Sequence, residues 1–153
     1  MVLERQDCSV NELIEDVVRS LSVRLARTKV AVVLDLAPRL PPLKLDRALM
    51  RQVVATLIKH AMEASAIDSE RQIEVLSRGD GDAVTLEFLS FGPAGAIDLE
   101  RLFDPLQSHG NRDGAIELAA SRSIVTAHGG TLIGLERPEG GTRLLMSLSN
   151  PQD

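Results

Sequence analysis

Apolar residues recur at helical spacing early in the chain, at Leu13, Ile14, Val17, Val18, Leu21 and Leu25. They follow Ser9-Val10-Asn11-Glu12, a capping-box pattern in which Ser9 takes the amide three residues on and Glu12 reaches back. Together these predict a first helix running to about Thr28. Val30 to Leu36 is a β-branched run closed by Ala37-Pro38, which predicts a strand, and Pro41-Pro42 enforces an extended connector. Asp46 is placed to cap a second helix, whose wide stripe of Leu49, Met50, Val53, Val54, Leu57, Ile58, Ala61 and Met62 predicts deep burial.

Two strands follow, Gln72 to Leu76 and Ala83 to Leu89, joined by Arg78-Gly79-Asp80-Gly81-Asp82, a turn rich in residues that tolerate positive φ. After a glycine–proline loop (Phe91 to Ala96) comes a short helical piece around Leu99 to Phe103, then an aperiodic polar stretch, Gln107 to Asp113. A third full helix spans about Ala115 to His128 and stops at Gly129-Gly130. Thr131 to Leu135 and Arg143 to Leu148 form a last hairpin across Pro138-Glu139-Gly140-Gly141. This order predicts an α/β two-layer sandwich of five strands and three main helices, rather than a doubly wound parallel sheet. Spacing and alternation put Val53, Leu57, Ile58, Val84, Leu86, Ile124, Leu132 and Leu145 in one core.

The 153 residues suit a single domain, 1–153, and 44% hydrophobic with 25% charged residues is an ordinary globular balance. A net charge of −5 with 2% aromatics excludes a nucleic-acid binder, which wants basic stripes and stacking rings. No run approaches the ~18 apolar residues of a membrane span, and no signal-peptide block opens the chain, so a cytoplasmic location is expected. The lone cysteine, Cys8, excludes an internal disulfide and a cysteine-based zinc site, and with no histidine nearby it is a poor nucleophile.

From Glu4 onward the chain resembles the catalytic, ATP-binding domain of bacterial sensor histidine kinases, a member of the GHKL superfamily. Four stretches carry the resemblance: "CSVNELIEDVVRSL" with "VVLDLAPRLPPLKLDRALMRQVVATLIKHAMEAS"; "VTLEFLSFGPAG"; "LERLFDPLQS"; and "DGAIELAASRSIVTAHGGTLIGLERPEGGTRLLMSL". It implies the Bergerat-type fold, with a mixed, largely antiparallel sheet. The nucleotide motifs depart from the family pattern. Where the family reads N-L-L-x-N-A, with an asparagine holding magnesium, this chain reads Thr56-Leu57-Ile58-Lys59-His60-Ala61, and imidazole suits zinc, copper or nickel better than magnesium. Where the family has D-x-G-x-G, whose aspartate accepts the adenine amino group, Ser90-Phe91-Gly92-Pro93-Ala94 offers a neutral, shorter acceptor, and Ala94 adds a methyl where backbone passes close to the ligand. The family's G-x-G-L-G-L phosphate cradle is replaced by Asp113-Gly114-Ala115-Ile116-Glu117-Leu118. Asp113 there is a good N-cap for the very amides phosphate would use, and Glu117 adds a repelling carboxylate. Gly141-Thr142 matches the late G-T whose hydroxyl helps hold adenine, and Phe103-Asp104-Pro105-Leu106 matches the motif that opens the lid.

Thr56, His60, Ser90, Gly92, Gly114, Glu117 and Thr142 are therefore read as vestigial nucleotide-site positions, with no metal and no cofactor expected and no catalytic residue assigned. His109 and His128 lack a base, acid or metal partner in sequence and are read as surface residues. The reading that follows is a degenerate, pseudokinase-like module of two-component signalling. It would dock a histidine kinase helical hairpin or a response regulator receiver domain through Phe91, Leu102, Phe103, Leu106 and His109. One rival is a divergent but active domain that binds ATP and magnesium and phosphorylates histidine, with His60, Ser90 and Thr142 doing the usual work. Another is the kinase-like half of a histidine phosphotransferase. A serine kinase of the anti-sigma type is disfavoured by the opening from Glu4 to Leu21.

Overall fold

The computed structural model describes residues 1–64, 72–91, 103–104 and 112–151. Ahead of the first helix lies a short strand, β1 (Arg5–Cys8), and Ser9 then caps α1 (Val10–Ser20): the Glu12 amide donates to Ser9 Oγ at 3.3 Å. The predicted first helix does not run unbroken to Thr28. Ser20 Oγ donates to Val17 O at 2.7 Å, the same carbonyl that accepts the Leu21 amide at 3.0 Å. Side-chain competition of this kind bends helices. Leu21 closes α1 and opens α2 (Ser22–Thr28), which ends on Lys29 in the left-handed region at φ 56°.

Five strands form the main sheet: β2 (Ala31–Asp35), β4 (Gln72–Asp80), β5 (Ala83–Ser90), β6 (Thr131–Glu136) and β7 (Thr142–Ser149). Their spatial order is β2-β4-β5-β7-β6; β2 runs parallel to β4, and every other pairing is antiparallel. The turn between β4 and β5 is made by Gly81, at φ 61°, with Asp82. Two helices, α3 (Arg47–Ala64) and α4 (Arg112–Ala127), complete the sandwich. The sequence missed β1 and its antiparallel partner β3 (Leu43–Asp46). Each is four residues long, too short to show alternation, and Leu43–Asp46 follows directly on the Pro41-Pro42 connector. The short helical piece at Leu99 to Phe103 lies outside the described residues apart from Phe103.

Seven of the eight expected core residues are buried, from Leu57 at 0% exposure to Ile124 at 7%. Leu145 is the exception: it is half-buried, and Leu144, Met146 and Leu148 face the helices instead. Leu144-Leu145 is an apolar pair, so alternation alone leaves the parity of β7 open. The register Leu86↔Met146 sets it, and a one-residue slip reverses the faces. A part-buried polar link joins α1 to β4 and to the segment just after β2. Ser77 Oγ donates to Asn11 Oδ1 at 2.8 Å and accepts the Ala37 amide at 2.9 Å, while Asn11 Nδ2 donates to Ala37 O at 2.7 Å.

His128 is no surface residue. It is 4% exposed, and its Nε2 accepts the Asp46 amide at 3.0 Å while Nδ1 lies 2.8 Å from Ile124 O. A backbone amide only donates and a carbonyl only accepts, so the ring carries its proton on Nδ1. The glycine stop after α4 thus turns the chain where His128 can reach the start of α3. Replacing His128 with leucine leaves the Asp46 amide buried without a partner, a loss of about 1–3 kcal/mol. A fall in melting temperature of roughly 2–12 °C, read by circular dichroism, checks this.

Candidate functional site

Asp46 starts α3 by accepting the Leu49 amide at 3.2 Å on Oδ1, and it accepts the Glu4 amide at 3.0 Å on Oδ2. These two bonds, that from Glu4 first, hold its carboxyl below its ordinary value. From this cap, α3 turns Met50, Val53, Val54, Leu57, Ile58, Ala61 and Met62 into the core. The helical period then leaves Thr56, Lys59, His60 and Glu63 along a flank that faces α4.

A cavity of about 120 Å³ lies there, lined by Arg24 of α2, by Thr56, Lys59, His60 and Glu63 of α3, and by Gly114, Glu117 and Leu118 of α4. The structure therefore brings together four of the positions singled out in sequence: Thr56, His60, Gly114 and Glu117. Burial pushes the His60 imidazole below its ordinary value, and the nearby Glu63 carboxylate opposes that only in part. Glu63 itself pairs with Arg24 at 3.8 Å, both side chains about half exposed. A second cavity of about 200 Å³ continues between the helices, sharing Thr56, Lys59 and Glu117 and adding Ser121 and Ile124. Among the described residues, no group of three or more His, Cys, Asp or Glu side chains is placed to hold a metal ion.

Ser90 and Thr142 come together where β5 ends and β7 begins. Their hydroxyls lie 2.6 Å apart, and the Thr142 amide donates to Ser90 Oγ at 3.2 Å. Ser90 is 1% exposed. Gly141, at φ 93°, packs so closely that a β-carbon on it would sit 2.0 Å from Ser90 O. Arg137 seals the edge: its Nη1 donates to Ser90 O at 3.1 Å, its guanidinium lies 4.2 Å from the Phe91 ring centroid, and Nη2 pairs with Glu139 at 2.7 Å. Sequence reasoning missed Arg137, which stands in a turn-rich hairpin with no motif around it. It also missed Arg24 and Lys59, whose part depends on helix packing rather than spacing.

The remaining sequence-derived positions divide. Phe103 is 7% exposed and belongs to the core, under Arg122 at 4.2 Å from its centroid, so it does not stand on a docking surface. Phe91 is half-buried beneath Arg137. Helix α4 begins at Arg112, which places Asp113 inside its first turn rather than at the cap. Gly92, Leu102, Leu106 and His109 lie outside the described residues. Cys8 is 3% exposed, with burial raising its thiol above the ordinary value, as befits an inert core thiol.

A five-stranded mixed sheet carrying a helix-walled cleft of this kind defines a GHKL-type ATPase fold. The family model for the histidine kinase-, DNA gyrase B- and HSP90-like ATPases matches residues 45–152, and the chain belongs to that family. It is 34% identical over 131 residues to the C4-dicarboxylate transport sensor protein DctS of Rhodobacter capsulatus, covering 83% of this chain and 20% of that protein. It is 27% identical over 152 residues to the signal transduction histidine-protein kinase AtoS of Escherichia coli K12, covering 96% of this chain and 24% of that protein. The chain thus spans about a fifth to a quarter of the length of these relatives. In structure it is similar to the nucleotide-free catalytic domain of histidine kinase ThkA, with a TM-score of 0.84 at 22% identity, covering 97% of this chain and 98% of that one. It is likewise similar to ThkA in complex with the response regulator protein TrrA, with a TM-score of 0.81 at 21% identity, covering 97% of this chain and 42% of that one. No helix among the described residues is long and apolar enough to cross a membrane.

Two outcomes test the site's construction. Gly141→Ala forces a side chain into a positive-φ position against the Ser90 carbonyl and lowers stability by at least about 2 kcal/mol, read by urea unfolding. The folded His60 binds protons less readily than the unfolded one, so stability is retained above the unfolded value and falls as pH drops from about 6.5 through the lower folded value. Melting curves at successive pH values should show that slope in the parent and less of it in His60→Asn.

Proposed function

We propose that this histidine kinase-like ATPase domain serves two-component signalling as a regulatory, protein-docking module rather than as a phosphotransferase. The observation that carries this reading is the engagement of Ser90 with Thr142: the position that would read adenine is 1% exposed and already hydrogen-bonded to its neighbour. Adenine entry would have to part these hydroxyls and displace the Arg137 bond to Ser90 O. At the phosphate end, Glu117 lines the cavity within the first turns of α4, opposing the attraction of a helix N-terminus for anions. Beside it stands His60, whose imidazole burial makes harder to protonate. The residues present thus do not fit a magnesium triphosphate.

The partner proposed is a histidine kinase helical hairpin or a response regulator receiver domain, supported by the likeness to ThkA solved with its response regulator. Phe91, with its ring under Arg137, is the described residue proposed to anchor this surface, and Leu106 is assigned to it from the sequence alone.

Calorimetric titration with ATP and magnesium decides the first half. A dissociation constant above about 1 mM, less than ~4 kcal/mol, is expected, and micromolar binding overturns the reading in favour of an active kinase domain. Combining His60→Asn, Ser90→Asp and Glu117→Gly should tighten nucleotide binding at least tenfold, roughly 1.4 kcal/mol. For the docking half, Phe91→Ala with Leu106→Ala should abolish capture of the receiver or hairpin with little change in melting temperature. A drop of several degrees with binding intact places both residues in the core instead.

A further inference from the structure

His128 lies outside the cleft, is buried, and gives each ring nitrogen one task. Nδ1–H donates to Ile124 O at 2.8 Å, and Nε2 accepts the Asp46 amide at 3.0 Å. The first bond stays within the last turn of α4 and is unchanged when the ring gains a proton. The second needs the Nε2 lone pair, and an imidazolium has none. Protonation therefore sets Nε2–H against the Asp46 N–H, two donors face to face. Helix α4 is not free to carry the ring away. A β-carbon on Gly130 would lie 2.3 Å from Ser147 O, so the chain leaving the helix is pressed onto β7. The adjustment falls on Asp46.

We infer that the contact between His128 and Asp46 is a protonation switch joining the end of α4 to the start of α3. Neutral, the ring accepts the Asp46 amide; charged, it donates Nε2–H to the Asp46 carboxylate instead. The proton passes from water onto the Nε2 lone pair, and the bond given up is that from the Asp46 amide. The carboxylate belongs to the same residue, and a charge-assisted bond to it is stronger than the neutral bond it replaces. The Glu4 and Leu49 amides are what chiefly hold this carboxyl low, and attraction to His128 adds to them, so the two groups feel each other. Its oxygens already take the Leu49 and Glu4 amides, at 3.2 and 3.0 Å, and turning toward the ring draws it from at least one of them. Acid thus loosens the cap of α3 and the tie to the chain ahead of β1, at the end where the two walls of the cleft are joined. The other charges on the surrounding elements are turned elsewhere. Arg47 pairs with Asp16 at 3.0 Å and Lys44 with Asp7 at 3.0 Å, Arg5 donates to Lys44 O at 2.9 Å, and the Glu4 residue is exposed. On α4 itself Arg122 donates to Leu132 O at 3.0 Å, and on the sheet side Thr131, Ser147 and Ser149 carry no charge. The switch does not rest on the docking reading above.

Nuclear magnetic resonance of the isotope-labelled chain between about pH 8 and about pH 5, a span that brackets ordinary imidazole titration, tests this. The His128 ring signals and the amide signals of Asp46, Leu49 and Glu4 should shift together with one midpoint, while the Leu86 amide in the sheet stays in place. His128→Gln keeps an acceptor for the Asp46 amide and a donor for Ile124 O but does not titrate, so the three amides should lose most of their shift. His60→Asn removes the imidazole in the cleft and should leave the joint titration intact. The parent and His60→Asn decide the matter even where His128→Gln does not fold, since the three amides must follow the His128 ring and not the His60 ring. A His128 ring that stays neutral in the folded chain down to about pH 5 overturns the inference. So does a ring that charges while the Asp46 amide signal stays still, or an equal amide shift in folded His128→Gln.

Discussion

One backbone amide, that of Asp46, sits where the parts of this domain meet. It donates to His128 at the end of α4, while the Asp46 side chain caps α3 and receives the Glu4 amide ahead of β1. Three separate pieces of chain are thereby fixed at one point. The walls of the cleft are α3 and α4, so their relative placement at one end is set by an imidazole in a single tautomer. An aliphatic residue at 128 could fill the space but could not accept that amide. The ion pair between Arg47 and Asp16, at 3.0 Å, ties α1 to the same end of α3. Being partly exposed, it adds little to stability beside the buried bond.

The fold was legible because its signals are local and strong. A serine cap before an apolar stripe, a β-branched run before proline and a glycine stop after a helix each state their element within a few residues. What escaped were features decided at long range. The strands β1 and β3 exist only because they pair with each other, across the whole of α1 and β2. The burial of His128 depends on a partner eighty-two residues away, and a histidine after a helix looks the same whether it meets solvent or an amide. The parity of Leu144 and Leu145 is set by the neighbouring strand, not by their own sequence.

The site was legible to a different degree. Motif order located Thr56, His60, Ser90, Gly114, Glu117 and Thr142, and the structure gathers them at two places, one between the helices and one at the strand ends. The sequence could not reveal how the second place is held. Arg137 reaches Ser90 O from a turn, and Gly141 allows the hairpin to press onto the same carbonyl. Neither role can be read from spacing, because both rest on the backbone approach of segments about fifty residues apart.

The same helix, α3, supports both the core and the cleft, and its period keeps the two tasks apart. Val53, Leu57, Ile58 and Ala61 face the sheet, while Thr56, Lys59 and His60 face α4. A 3.6-residue repeat assigns neighbours in sequence to different faces, so a change at 56 or 60 leaves the buried stripe untouched. Packing resists substitution, since lost methylenes leave cavities. The cleft face carries no such penalty. Its side chains are less tightly packed, and apart from the buried His60 their exchange changes what the cleft attracts more than what holds it. At the strand ends the separation breaks down, for Ser90 and Gly141 are packed as tightly as the core. Chemistry and stability are coupled there, and restoring an aspartate at 90 would require the Thr142 bond and the Arg137 contact to rearrange together.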